Sequence, residues 1–138
     1  MALQIAKNKI NCEIGKRAKI NVQKSRKYTL GIANSERTVY GINTGFGPLC
    51  DTRISKEKIK LLQENILKSG SVGVGPLVTD LVVKLILITK VHALIMGYSG
   101  FLEVLKHIVF FIYDEIIPEV PDQGSIGASG DLTPLSHL

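Results

Sequence analysis

Between Leu77 and Ile117 the chain is apolar at most positions, and Gly97 and Gly100 cut the run in two. Thr79 is a natural cap for a helix over Asp80–Met96, and Gly97 a natural stop. That helix is apolar on nearly every face and is expected to be buried all round. A second helix is expected over Gly100–Ile117, ending at Pro118. Neither is expected to cross a membrane. Asp80, Lys84 and Lys90 interrupt the greasiest part, and the longest stretch without a charged residue, Val91–Leu102, has twelve residues where a span needs about twenty. The N-terminus shows no signal-peptide pattern. The expectation is a cytoplasmic chain with no membrane partner.

The rest of the chain must supply the partners for these helices. Its 138 residues suit one unit with an aliphatic core, since 45% are apolar and there is no Trp. Residues 1–23 read as short strands or irregular structure, and Ser25–Ala33 as a helix of two or three turns weakened by Gly31. Ser55 can cap a helix to about Lys68, with Ile59, Leu62, Ile66 and Leu67 on one stripe. Three loops stand out: Glu36–Ser55 with Gly41, Gly45 and Gly47; Ser69–Pro76 with Gly70, Gly73 and Gly75; and Pro118–Gly130. Thr133-Pro134 then opens a helix. Only Pro134–Leu138 follow, too few for a stable helix alone, so the chain is expected to be a piece of something longer.

Several chemistries are excluded. Cys12 and Cys50 have no CxxC spacing and read as free thiols of a reducing compartment. His92, His107 and His137 lack metal-ligand spacing. The glycines at 70, 73 and 75 match neither a phosphate loop nor a dinucleotide fingerprint, and a helix rather than a strand precedes them. Net charge is +9 over residues 1–60 and −4 over 61–138. The basic cluster from Lys7 to Lys27 has one nearby aromatic, Tyr28, and reads as a solvated face with no nucleic-acid partner.

The run Ala128-Ser129-Gly130-Asp131 carries the chemistry. Small residues could simply make a tight turn into a helix capped by Asp131. They also permit an intramolecular condensation. The unhindered Gly130 nitrogen can attack the Ala128 carbonyl, and loss of water closes an imidazolone. Ser129 then loses its hydroxyl as a second water and leaves an exocyclic methylidene. Ordinary side chains supply nucleophiles, acids and bases but no strong electrophile; this group supplies one with no external cofactor.

The segment "GSIGASGDLTPLSHL" (Gly124–Leu138) resembles the signature of the histidine and aromatic amino-acid ammonia-lyases. "YGINTGFGPL" (Tyr40–Leu49) resembles that family's tyrosine-bearing loop, and "LILITKVHALIMGYSG" (Leu85–Gly100) resembles the helix and turn between the two. The resemblance runs from about residue 36 to the end and leaves a basic N-terminal segment, 1–35. It implies a mainly α fold: the N-terminal part of the methylidene-imidazolone domain, truncated before the central helical bundle. It implies that Ala128, Ser129 and Gly130 form the electrophile, with Asp131 orienting the turn. Tyr40 is implied as the base that takes the β-proton while ammonia leaves an L-amino acid, giving a trans-unsaturated acid. A homotetramer is implied as well. Histidine-specific members carry Ser-His where this chain has Ser69-Gly70, so the substrate-binding pair lacks an imidazole. The first reading is a histidine ammonia-lyase producing urocanate. The alternatives are an aromatic amino-acid ammonia-lyase or aminomutase, or a catalytically inactive remnant; alone, the chain is expected to be inactive.

Overall fold

The computed structural model describes residues 1–11, 13–98, 100–127 and 130–138. Among these residues six α-helices, a 3-10 turn (Gly47–Leu49) and a two-stranded antiparallel sheet occur, in the order α1 (Ala2–Ala6), α2 (Lys16–Ala33), α3 (Lys56–Gly70), β1 (Val74–Leu77), α4 (Asp80–Ile95), α5 (Leu102–Tyr113), β2 (Pro121–Gln123) and α6 (Leu132–Ser136). The fold is thus predominantly α-helical. No helix among the described residues is long and apolar enough to cross a membrane.

Helix α4 is the hub and packs on α1, α2 and α5. Its Val83 and Leu87, one turn apart, join Ile5, Ile112 and Val120 in a buried cluster, with Leu138 packed against it from the chain end. The side chain of Gly97 is missing for two reasons. Its φ is +86°, and an added Cβ would lie 3.0 Å from Asn21 Cβ on α2. Glycine therefore both stops α4 and lets α2 approach.

The expectation that α4 is buried on all sides fails for this chain. Val83, Lys84 and Leu87 are buried, whereas Leu81 and Val82 are exposed. Nor does α5 run from Gly100 to Ile117. It begins after Phe101 and ends at Tyr113, because Glu115 turns left-handed at φ +55° and reverses the chain. The Glu115 carboxylate meets Lys84 Nζ at 3.0 Å and accepts from Asn8 Nδ2, tying α1, α4 and this turn together.

Residues 1–23 contain helices rather than strands. The expected Ser25–Ala33 helix starts nine residues earlier, at Lys16. Its inner face is Ala18, Val22, Ser25, Arg26, Thr29 and Ile32, a helical repeat made largely of small and polar residues. Counting aliphatic residues alone therefore hid it. Arg26 contributes through its guanidinium, 3.5 Å from the centre of the Phe101 ring. The second and third loops are not wholly irregular either, since β1 and β2 pair across them, Val74 with Gln123 and Leu77 with Pro121.

Candidate functional site

The tyrosine-bearing loop hangs between α2 and α3 and is framed by two buried polar side chains. Asn43 accepts the Val39 N–H on Oδ1 and donates from Nδ2 to the Arg37 carbonyl, both at 2.8 Å; its own carbonyl accepts from Ile54 N. Thr44 Oγ1 donates to Gly45 O at 2.9 Å and accepts from Gly41 N at 3.3 Å. Both residues are about 1% exposed, so they replace, inside the loop, the backbone ladder that irregular chain lacks. Arg53 closes the loop's neck through Glu36 and the carbonyl of Ser35. The Arg53 guanidinium holds the Glu36 carboxyl below its ordinary range, mainly by hydrogen bonding. Tyr40 stands at the tip, mostly exposed, with its ring edge-on to Phe46 at 5.6 Å between centroids. The sequence reading included Asn43 and Thr44 in the loop without recognising their framing role. Their short polar side chains among closely spaced glycines were the available signal.

Ser69 and Gly70 form the last turn of α3, not the start of a loop. Ser69 Oγ donates to Ile66 O at 3.0 Å, within its own helix. Gly70 faces α6, where a Cβ would lie 2.2 Å from Ser136 Oγ. Packing alone thus accounts for the absence of a side chain at position 70.

Ala128 and Ser129 lie outside the described residues, as does Cys12; Cys50 is an exposed free thiol. The residues flanking the pair are defined. Gly130 has φ +81° with open space where a Cβ would stand, so it is backbone conformation that favours glycine there. Its N–H donates to Gly127 O at 3.2 Å. Asp131 is left-handed at φ +56°, and its Oδ1 accepts from Ser125 Oγ at 2.5 Å, while Ser125 Oγ also accepts from Gly127 N at 3.4 Å. Ser125 thus ties the two ends of the segment together, a role that its place in the sequence did not disclose.

Helix α6 begins at Leu132, not at Thr133-Pro134. Thr133 is instead buried, and its hydroxyl donates to Gly124 O at 3.0 Å. The structure brings Gly70 against α6, directly after Gly130 and Asp131; the ring contact of Tyr40 lies within its own loop.

Comparison with known proteins agrees with this architecture. The sequence matches the family described as "Aromatic amino acid lyase" over residues 1–138. It is 41% identical to the histidine ammonia-lyase of Shewanella woodyi over 97% of this chain and 26% of that enzyme. In structure it is similar to the ergothionase of Treponema denticola (TM-score 0.91, 31% identity) over 99% of this chain and 27% of that one. It is likewise similar to the tyrosine aminomutase of Streptomyces globisporus (TM-score 0.89, 30% identity), covering 99% of this chain and 26% of that one. The chain spans about a quarter of the length of the relatives it matches. A match that takes in every residue, together with a common fold at these identities, places the chain in the aromatic amino acid lyase family.

Proposed function

We propose that this chain is the electrophile-building part of a histidine ammonia-lyase, which converts L-histidine to trans-urocanate and ammonia. The observation that carries the reading is the Ala128-Ser129-Gly130-Asp131 run in a chain of this family. The flanking geometry fits the methylidene-imidazolone. The Gly130 nitrogen has no Cβ neighbour to hinder it, and the hydrogen bonds Gly130–Gly127 and Ser125–Asp131 draw the segment's ends together.

Ring formation balances without an oxidant or a bound cofactor. The Gly130 nitrogen bonds to the Ala128 carbonyl carbon. The carbonyl oxygen leaves as water with the amide protons of Gly130 and Ser129. Ser129 then loses its Cα proton and Oγ hydroxyl as a second water. The group so formed supplies the electrophile that renders the substrate nitrogen a leaving group. Asp131 orients the turn, the end of α3 that carries Ser69 and Gly70 belongs to the substrate-binding side, and the exposed phenol of Tyr40 takes the β-proton. Residues 36–138 carry this machinery behind the basic segment 1–35. The whole enzyme acts in the cytoplasm as a homotetramer on a small amino acid, and this chain by itself does not turn over substrate.

Urocanate absorbance with histidine, compared with cinnamate-type products from tyrosine and phenylalanine, tests the reading in the protein expressed from its natural reading frame. Preferential turnover of histidine supports it. Preferential turnover of tyrosine or phenylalanine favours an aromatic ammonia-lyase or aminomutase, a second reading supported by the likeness to a tyrosine aminomutase.

A further inference from the structure

We infer that His137 is a positioning residue: its imidazole clasps the Gly73 backbone and so holds α6, which directly follows Gly130 and Asp131, against the end of α3. The inference rests on the reading of Ala128–Gly130 given above and adds a residue to it.

The Gly73 N–H donates to His137 Nε2 at 3.1 Å. A donor aimed at Nε2 makes that nitrogen the acceptor and leaves Nδ1 to carry the ring N–H. A Cβ at Gly73 would meet His137 Nε2 at 2.9 Å and Pro121 of β2 at 3.0 Å. The imidazole therefore sits in a gap that only glycine leaves open. Three contacts reinforce it. Ser71 Oγ shares its proton between Leu67 O at 2.8 Å and Ser136 O at 3.1 Å, Gly70 touches Ser136, and Thr133 Oγ1 holds Gly124 O at 3.0 Å.

Helix α6 has only five residues and cannot hold its shape alone. Its position is set by these side-chain contacts and by Leu138 on the core. Gly130 and Asp131 lead directly into α6, so whatever fixes α6 fixes them. A reacting pair displaced by about 1 Å loses roughly a hundredfold in rate, which makes a clasp at this point consequential for ring closure.

The test compares His137→Leu, His137→Gln and Gly73→Ala in the protein expressed from its natural reading frame. Glutamine presents an oxygen near the position of Nε2 and retains the acceptor, leucine removes it, and Gly73→Ala pushes the imidazole away without altering it. The readouts are the fraction of chain lacking two waters by intact mass and the exchange rate of the Gly73 amide. For His137→Leu and Gly73→Ala we expect the cyclised fraction during maturation to fall roughly tenfold and the Gly73 amide to exchange faster. His137→Gln should stay within about twofold of the wild type on both. A merely structural role would lower Tm in the Leu and Gln variants alike without separating their masses. Wild-type mass loss in His137→Leu overturns the inference alone. Absence of the mass loss in the wild type overturns both the inference and the reading beneath it.

Discussion

Gly70 closes helix α3 directly against Ser136 of α6: a Cβ built on Gly70 would stand 2.2 Å from Ser136 Oγ and 3.1 Å from its Cβ. Ser136 Oγ cannot turn aside without releasing Leu132 O, which it holds at 2.7 Å. Alanine is a better helix former than glycine by about 1 kcal/mol, so Gly70→Ala would ordinarily stabilise α3. Here overpacking offsets that gain, and we expect a net loss of about 1 kcal/mol. In a Ser136→Ala background the same change should become neutral or favourable, a coupling of at least about 1 kcal/mol in urea denaturation. Gly70→His should wedge α3 from α6 and lower stability further.

Asn43 makes the sharpest stability expectation. Asn43→Ala leaves the Val39 N–H and the Arg37 carbonyl without their partner at 2.8 Å. Both bonds are only part-buried, so water partly replaces the lost partner, and we expect a loss of about 1–2 kcal/mol in denaturant unfolding. Asn43→Asp keeps the acceptor but not the donor and should fall between the two.

The Lys84–Glu115 pair sets an acid limit. Lys84 is largely buried, and its ammonium, with Asn8, holds the exposed Glu115 carboxyl below its ordinary value of 4.5. A carboxyl lowered in the folded state contributes stability above its unfolded value and loses it as pH falls through the folded one. Unfolding midpoints measured from neutral pH downward should therefore decline below pH 4.5, and Glu115→Gln should remove this component of the slope. Lys84→Met, which leaves no buried charge, should also flatten it.

The sequence made some of these features legible and concealed others, for definable reasons. Helices α3 and α4 could be read because Ser55 and Thr79 precede them and aliphatic stripes or runs fill them. Helix α2 could not, since its inner face carries Ala18, Ser25, Arg26 and Thr29, which no hydrophobic count registers. The end of α5 was misplaced because Glu115 is left-handed through a partner 31 residues away. At the site, Ala128–Gly130 could be read from local chemistry, while Tyr40 and Asp131 could be named only through the family resemblance. Ser125, Asn43 and His137 could not, because their roles exist only in the pairings Ser125–Asp131, Asn43–Arg37 and His137–Gly73.

Replacing Tyr40 is expected to separate chemistry from binding. Its ring is exposed at the tip of the loop and packs on Phe46, so Tyr40→Phe preserves that contact and removes only the phenolic oxygen. In the active protein we expect kcat to fall by at least about a hundredfold with KM little changed. Steady-state kinetics checks this; an unchanged kcat would assign the base elsewhere.

The intact mass of the protein purified from its natural reading frame, set beside that of Ser129→Ala, tests the central claim most directly. If Ala128, Ser129 and Gly130 build the electrophile, the wild-type mass falls short of the encoded sequence by two waters, about 36 Da. Ser129→Ala cannot lose the second water, lacks that deficit, and releases no ammonia. An unmodified wild-type mass accompanied by turnover, or a Ser129→Ala protein as active as the wild type, would contradict the account.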